Sequence, residues 1–231
     1  MKKLQIVLIS LIVVLFHMVS CESDDYINDG GKSQRYVDMT TYDFLKSHGK
    51  FDSLVAIIDQ AGLKEMVNAP NTTFFACTDY SVAPYVAAKK QKRVVEVGDE
   101  NIQFGIKNIS AQELDSLKMY MFEGAFIREF LTRENQYFTS RYGTMNNTRF
   151  LIKLRRATAY SDYLDYVDYV NFTRVRGTLD SELPPGQVIL PQEQDQSFDC
   201  QTSDIITKNG VVNVLSDNHR LMFNGESTGG N

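Results

Sequence analysis

Apolar residues recur at helical spacing through the first part of the chain. Between residues 51 and 67 they fall three or four positions apart, which is the pattern of helices with one buried face. Gly62 interrupts the run, so we predict two short helices there. A further helix is predicted at residues 40–46, with Thr40 or Thr41 as its cap. The apolar positions are Phe51, Leu54, Val55, Ile58, Leu63, Met66 and Val67.

The next stretch mixes strand and helix signals. Residues 72–78 predict a strand because β-branched and aromatic side chains fill it. A helix is predicted at 80–92, ending in a basic run that suits the negative end of the helix dipole. The capping-box spacing of Ser110 and Glu113 predicts another helix. A last helix is predicted at residues 126–131. The basic residues are Lys89, Lys90, Lys92 and Arg93. After them, the β-branched residues Val94, Val95 and Val97 predict a strand or an extended segment.

Beyond Arg133 the pattern changes to strands. Asn209-Gly210 lies between two apolar runs, which is the strongest short signal for a β-hairpin. Helices first and antiparallel strands later predict an α+β fold rather than a doubly wound parallel sheet. The predicted strands are 138–140, 149–154, 169–175, 205–207 and 211–215.

The first twenty residues have the three parts of an export signal. Lys2 and Lys3 supply positive charge, residues 4–16 are mainly apolar, and small and apolar residues lead to Cys21. The apolar run is shorter than the ~20 residues of a membrane span. Residues 18–21 resemble a lipobox, in which a lipid is attached to the cysteine thiol. We therefore predict a removed signal peptide at 1–20 and a lipid anchor on Cys21; the alternative is an ordinary secretory signal with an incidental cysteine.

Polar and acidic residues follow Cys21 directly. Residues 21–39 have too little apolar content to fold, which predicts a flexible tether. The acidic cluster at 22–25 resembles the signal that sends Bacteroidetes lipoproteins to the outer face of the outer membrane; the alternative is a solvated linker. We expect residues 40–223 to form one domain and 224–231 a disordered tail.

Charge and reactive side chains limit the functions to consider. The formal net charge of −5 argues against a nucleic-acid partner, whose phosphates favour a basic face. Cys77 and Cys200 are either a disulfide or two buried free thiols. His48 suits a helix end, and we expect His219 to be exposed near the C-terminus. No Cys or His pair has ligand spacing and no catalytic motif is present, so we expect no metal, no cofactor and no enzyme.

One segment repeats tyrosine and aspartate every third residue. Neither a helix nor a strand keeps a period of three on one face, so both types spread around the element. Exposed Tyr rings could stack on sugars while Asp accepts hydroxyl hydrogen bonds, which would form a glycan- or protein-binding face. The alternatives are a Ca²⁺ site and an inserted hairpin with ordinary surface residues. The candidate binding residues are Tyr160, Tyr163, Tyr166, Tyr169, Asp162, Asp165 and Asp168.

Several segments, in order, resemble the motifs of the fasciclin domain. A helix pair at 51–63 leads into Thr73-Phe74-Phe75-Ala76-Cys77-Thr78-Asp79, where Cys77 replaces a proline. A central Tyr-His motif is resembled by residues 120–124, with Met121 in place of the histidine. The closing Asn-Gly motif is resembled by residues 209–217, with Asn213 in place of a second histidine.

This resemblance implies a fold and a role. The implied fold is a small β-sandwich or wedge with helices packed around it, here with insertions between residues 82 and 110 and around 157–196. The implied role is adhesion or ligand binding without catalysis. Together with the tyrosine and aspartate row, this role predicts a glycan or a surface protein as the ligand. The alternatives are an accessory subunit of an outer-membrane complex and, third, an enzyme of envelope polysaccharide.

Overall fold

A computed structural model describes residues 35–143, 148–158 and 164–224, which lie in one compact unit beginning at Arg35. Within these ranges no helix is both long and apolar enough to cross a membrane. The helices are α1 (Thr41–Ser47), α2 (Asp52–Ala61), α3 (Lys64–Val67), α4 (Asp79–Val97) and α5 (Ala111–Leu114), with 3-10 turns at Ile106–Asn108, Asp115–Tyr120 and Asp180–Glu182. The strands are β1 (Thr72–Ala76), β2 (Met121–Glu123), β3 (Tyr137–Phe138), β4 (Thr148–Ala157), β5 (Val167–Arg176), β6 (Gln196–Ile206) and β7 (Gly210–Leu215).

The first helices form where the apolar spacing predicts them. The Thr40 side chain caps α1 by accepting a hydrogen bond of 3.2 Å from the Asp43 amide. Helix α2 ends at Gly62, whose φ of 68° lies in the left-handed region that favours glycine. The core-facing residues of α2 are Leu54, Val55, Ile57 and Ile58.

The seven strands form one mixed sheet in the order β2-β1-β7-β6-β5-β4-β3. Neighbouring strands are antiparallel except β1 and β7, which pair in parallel. The α+β prediction is confirmed, as is the hairpin of β6 and β7 around Asn209. The strands of the second half pair antiparallel with one another, and the sheet becomes mixed because β1, from the helical half of the chain, pairs in parallel with β7.

Strand β6 joins the two halves of the sheet. Residues 196–199 pair with β5 and the part from Cys200 onward pairs with β7, and the pairing with β7 is interrupted by register shifts between Cys200 and Ile205. Asp204 lies in this irregular stretch at a φ of 63°. The buried Asn213 of β7 stabilises it, since its Oδ1 accepts from the Asp204 amide and its Nδ2 donates to the Phe126 carbonyl, both at 2.9 Å.

The core contains a cluster of aromatic rings that joins the two halves of the sheet. Phe75 of β1 stacks on Phe172 of β5 with ring centroids 4.5 Å apart, and Phe122 of β2 meets Phe150 of β4 edge-on at 5.6 Å. In the sheet order, β1 and β5 are separated by two strands. Their rings can touch only because the sheet folds over, so that its two halves face each other.

The valines Val94, Val95 and Val97 continue α4 instead of forming extended structure. The helix ends at Gly98, with a φ of 69° and its amide bonded to the Val94 carbonyl at 2.8 Å. The predicted strand is therefore wrong, because the Lys, Arg and Gln residues before it sustain the helix. The basic run lies ahead of the last turn, so the helix dipole does not explain it.

The helix predicted at residues 126–131 is also wrong. The Phe126 amide donates to Thr73 Oγ1 and the Arg128 amide donates to Asp204 Oδ1, each at 3.0 Å. Because these amides bond to side chains of neighbouring strands, only a single turn forms between Ile127 and Leu131.

Residues 35–39, expected as part of the tether, are bonded to the end of β6. The Val37 amide donates to the Ile206 carbonyl at 2.9 Å, and the Ile206 amide donates to the Arg35 carbonyl at 2.6 Å. Arg35 also forms an ion pair with Glu129. The described body therefore includes residues 35–39, which were expected in the tether.

Candidate functional site

In the chain, the tyrosine and aspartate row falls between β4 and β5, and its described members lie just before and at the start of β5. Tyr160, Asp162 and Tyr163, like Cys21, fall outside the described residues. Asp165 is exposed, and the Tyr166 side chain is 48% exposed. The remaining members, Asp168 and Tyr169, are half-buried at the start of β5.

Arg156 contacts both Asp168 and Tyr166 on one face of this hairpin end. It lies directly across from Asp168, to which it donates two hydrogen bonds of 2.9 and 2.8 Å. These bonds lower the pKa of the Asp168 carboxyl. The same guanidinium lies over the Tyr166 ring, 3.3 Å from its centroid. Arg156 thus fixes an aromatic ring that stays partly open to solvent.

Arg155 makes the corresponding contacts on the opposite face of the strand. It forms an ion pair with Asp199 of β6 and lies 5.6 Å from the Tyr169 ring centroid. Burial opposes ionisation of Asp199, but hydrogen bonds from Arg155 and Asn171 outweigh it and lower the pKa of this carboxyl. Hereafter the hairpin cluster means Arg155, Arg156, Tyr166, Asp168, Tyr169 and Asp199.

The described half of the row is divided between two faces, as its three-residue period predicts. Successive strand residues point to opposite faces, so Tyr166 and Asp168 lie with Arg156, whereas Tyr169 lies with Arg155. Both oxygens of Asp168 already accept hydrogen bonds from Arg156. The positive charge of Arg156 thus neutralises the Asp168 carboxylate, which disfavours a Ca²⁺ ion beside it. Among the described residues, no group of three or more His, Cys, Asp or Glu side chains is placed to hold a metal ion.

The expectation that His219 is exposed is wrong. Its side chain is 0% exposed and shares a hydrogen bond of 2.9 Å between Nε2 and the Tyr120 hydroxyl. The rings of Phe198 and Phe223 lie 4.6 and 4.9 Å from its centroid. Burial lowers the pKa of His219 to about 3, so the ring is neutral at physiological pH. The short polar segment around it gave no sequence signal for this burial.

Arg174 lies beside the same buried aromatic rings. It is 7% exposed, with its guanidinium 4.8 Å from the Phe223 ring centroid and an Nη2 hydrogen bond to Gln196. Burial lowers its pKa to about 10, so it remains charged at neutral pH. Within the described ranges, its Nε finds no hydrogen-bond partner.

Cys77 and Cys200 are buried free thiols. Burial raises the pKa of both, which keeps them protonated and poor as nucleophiles. His48, the other histidine in the described part, caps the end of α1 and packs against Phe44, with ring centroids 5.5 Å apart. These reactive side chains are thus engaged in packing.

The segments that resemble fasciclin motifs come together in space. Residues 73–79, 120–124 and 209–217 supply β1, β2 and β7, which are neighbours in the sheet. Met121, at the position of the first expected histidine, is fully buried opposite Phe74. Asn213, at the position of the second expected histidine, makes the hydrogen bonds to Asp204 and Phe126 that stabilise the irregular part of β6.

An open cleft that the sequence did not predict borders the start of α4. Its volume is about 530 Å³, and its wall combines the exposed Tyr80 and Pro84 with Asp79, Asp217 and Arg220. Asp217 Oδ1 accepts hydrogen bonds from the Thr78 hydroxyl at 2.7 Å and from Gln201 Nε2 at 3.0 Å. Residues near 80 and near 217 are far apart in sequence, so only the packing of α4 reveals this cleft.

Neither a protein-family model nor a curated protein sequence matches the chain. Among solved structures, it is similar to the FAS1 domain pair from the insect cell adhesion molecule fasciclin I, with a TM-score of 0.41 and 11% sequence identity. The similarity covers 74% of this chain and 45% of that chain. The chain thus spans less than half of the length of that structure.

Proposed function

We propose that this protein is a non-catalytic adhesion or ligand-binding module, held at the outer face of the outer membrane by lipid on Cys21. The observation that carries the proposal is the Tyr166 ring of the hairpin cluster, which Arg156 fixes on one side and which remains 48% exposed. A ring already held in place loses little conformational entropy on binding. Tyr and Arg are also the residues that most often dominate binding energy at interfaces.

The ligand class we favour is a glycan. The exposed part of the Tyr166 ring can stack on the apolar face of a sugar, and the neighbouring Arg156 and Asp165 can bond to its hydroxyl groups. Asp165 is exposed beside the ring, whereas Asp168 holds Arg156 in place. The Ca²⁺ alternative loses support because the Asp168 carboxylate already forms an ion pair with Arg156.

The states of the reactive side chains support binding rather than catalysis. His219 lies in the core with its pKa lowered to about 3 by burial, so it cannot exchange protons with a bound substrate near neutral pH. Burial also raises the pKa of the thiols of Cys77 and Cys200. None of these three groups is available as a base or nucleophile.

We infer further that the domain is fasciclin-like, with the two facing halves of its sheet as the wedge of that family. The support is the order of the motif segments in the sequence together with their placement on β2, β1 and β7. In that interpretation Met121 and Asn213 stand in place of two histidines by serving packing and hydrogen bonding.

A glycan array tests the proposal. The purified protein is expected to bind a defined set of glycans, and Tyr166→Ala is expected to weaken this binding by about tenfold, since loss of an aromatic contact costs ~1–2 kcal/mol. The matched control is Tyr142→Ala, which removes another exposed tyrosine outside the cluster and leaves binding unchanged.

Other results of the same experiment would point elsewhere. No glycan binding, together with co-purification of an outer-membrane protein, would favour an accessory subunit of an outer-membrane complex. Turnover of an array glycan, abolished by substituting one carboxylate, would show that the protein is an enzyme and overturn the proposal.

A further inference from the structure

Two strongly exposed aromatic side chains lie on segments that an ion pair joins. Tyr36 and Phe130 are each 70% exposed. They directly follow Arg35 and Glu129 in the chain, and the Arg35 guanidinium donates two hydrogen bonds of 2.5 and 2.6 Å to the Glu129 carboxylate. Exposed apolar side chains that occur together often mark a contact surface. Hereafter the Tyr36 surface means Arg35, Tyr36, Glu129 and Phe130.

Both segments of the Tyr36 surface lie against the end of β6. Tyr36 pairs in parallel with Ile206, the last residue of that strand. On the other segment, the Arg128 amide donates to Asp204 Oδ1 at 3.0 Å. The surface is therefore held on the sheet by backbone pairing as well as by the ion pair, so its two rings are carried by ordered chain.

The position of the Tyr36 surface in the chain relates it to the proposed lipid on Cys21, on which this inference rests. Arg35 is the first described residue, and residues 22–34 connect it to Cys21. A fully extended chain of this length spans at most ~50 Å. An anchor of this length keeps the body near the bilayer, where even a weak contact with the lipid surface is populated. Along the chain, the Tyr36 surface is the described part closest to the lipid.

The charged side chains around the two rings are balanced in sign. They form three ion pairs, Arg35–Glu129, Arg128–Asp204 and Lys208–Asp38. The next charged residues after Phe130, Arg133 and Glu134, are again one of each sign. A zwitterionic phospholipid presents both a phosphate and an ammonium group, so its headgroups can pair with arginines and carboxylates alike. This mixed surface therefore suits a zwitterionic bilayer better than a strongly anionic one.

We propose that the Tyr36 surface docks on the phospholipid surface that holds the lipid anchor, with the rings of Tyr36 and Phe130 in the interfacial layer. Amphipathic aromatic rings such as that of Tyr favour this layer, where an apolar body and a polar tip are both satisfied. Since β5 runs antiparallel to β6, the hairpin cluster at the start of β5 lies toward the same end of the sheet. Docking thus holds that cluster close to the membrane, within reach of its surface glycans.

Fluorescence of the full-length protein tests the contact. The protein, purified with its lipid, is reconstituted into vesicles of phosphatidylethanolamine and phosphatidylcholine, and Phe130→Cys carries an environment-sensitive fluorophore. Its emission should shift to shorter wavelength, and nitroxide-labelled lipid should quench most of it. Val188→Cys is the matched control, because Val188 is 87% exposed on the loop before the start of β6. Its fluorophore should remain in water. Cys77 and Cys200 are buried and should not react.

A matched pair of substitutions shows whether the protein surface itself makes the contact. Tyr36→Glu in the Phe130→Cys background should release the fluorophore into water, because a carboxylate disfavours the interfacial layer. Tyr80→Glu, at a tyrosine that is 71% exposed on α4, should leave the fluorophore in the bilayer. A quenched signal that survives Tyr36→Glu would show that the fluorophore inserts by itself, and it overturns the proposal, as do equal effects of the two substitutions.

Flotation of the protein with the vesicles reports the anchor separately. Protein that floats while its fluorophore at position 130 stays in water overturns the docking and leaves the anchor intact. Emission at short wavelength without quenching by labelled lipid assigns the surface to a protein partner and also overturns the docking. Protein that does not float overturns the lipid anchor of the proposed function, and the docking with it.

Discussion

At the scale of single residues, His219 shows how burial changes a side chain that appears exposed in the sequence. It lies between Phe198 and Phe223 and shares a hydrogen bond with Tyr120. Its Nδ1 has no hydrogen-bond partner within the described residues. A proton added to this ring would create a buried charge without a counterion.

The stability of the fold should therefore fall as the pH is lowered through the range of histidine titration. The pKa of His219 is lowered to about 3 in the folded protein, while an unfolded histidine titrates near ~6.5. Between these values the unfolded state binds the extra proton, so stability rises with pH across this window. The expected slope from this group is about 1.4 kcal/mol per pH unit.

Denaturant unfolding between pH 4 and 7 measures this slope. His219→Gln should flatten the pH dependence whatever its effect on stability at pH 7, whereas His48→Gln, at an exposed position, should leave it unchanged. A slope in His219→Gln as steep as in the unaltered protein would contradict this account of the buried ring.

At the scale of elements, the backbones of β1 and β7 approach closely at Gly210. A Cβ added at Gly210 would lie 2.0 Å from the Thr72 carbonyl oxygen, which is backbone and cannot turn aside. Gly210→Ala should therefore destabilise the fold by about 3 kcal/mol or more, through forced separation of the two strands.

Thermal unfolding of matched variants checks the Gly210 prediction. Gly105→Ala is the control, because nothing lies within 4 Å of a Cβ there and its φ of −159° is extended. The control should unfold within a few degrees of the unaltered protein. Similar unfolding temperatures for both variants would show that the contact of β1 with β7 can relax.

Local signals determined several elements, and competing contacts decided others. The cap at Thr40, the break at Gly62 and the Asn209-Gly210 turn are set by residues adjacent in sequence, and each was predicted. The extent of α4 was not predicted, since Val94, Val95 and Val97 favour a strand by themselves and continue the helix only because strong helix formers precede them. The segment after Phe126 depends on Thr73 and Asp204, which are far away along the chain.

At the scale of the whole molecule, the lipid anchor is the firmest expectation from the sequence. A fatty-acid analogue supplied to expressing cells should label the protein, and Cys21→Ala should abolish the label, because the thiol is the proposed attachment point. Cys200→Ala, at a buried thiol, should retain it. Label that survives Cys21→Ala would contradict the lipoprotein interpretation.

The sequence by itself determined the fold class, the first helices and the strands β4, β5 and β7 of the second half, whereas most of β6 (Gln196–Ile206) was not predicted. These follow from patterns that repeat within a few residues. For the candidate site, the sequence predicted the tyrosine and aspartate row, but it did not predict that Arg155 and Arg156 contact the described members of this row. Asp168 and Tyr166 are fixed by Arg156, which faces them across the hairpin.

Only the tertiary structure decided the parallel pairing of β1 with β7, the burial of His219 and the exposure of Tyr80 and Val95 on α4. Each depends on residues that are distant in sequence and whose contacts leave no local period. The physical reason is that burial is set by what packs against a side chain, and an apolar helix face has the same sequence pattern whether it faces the core or solvent.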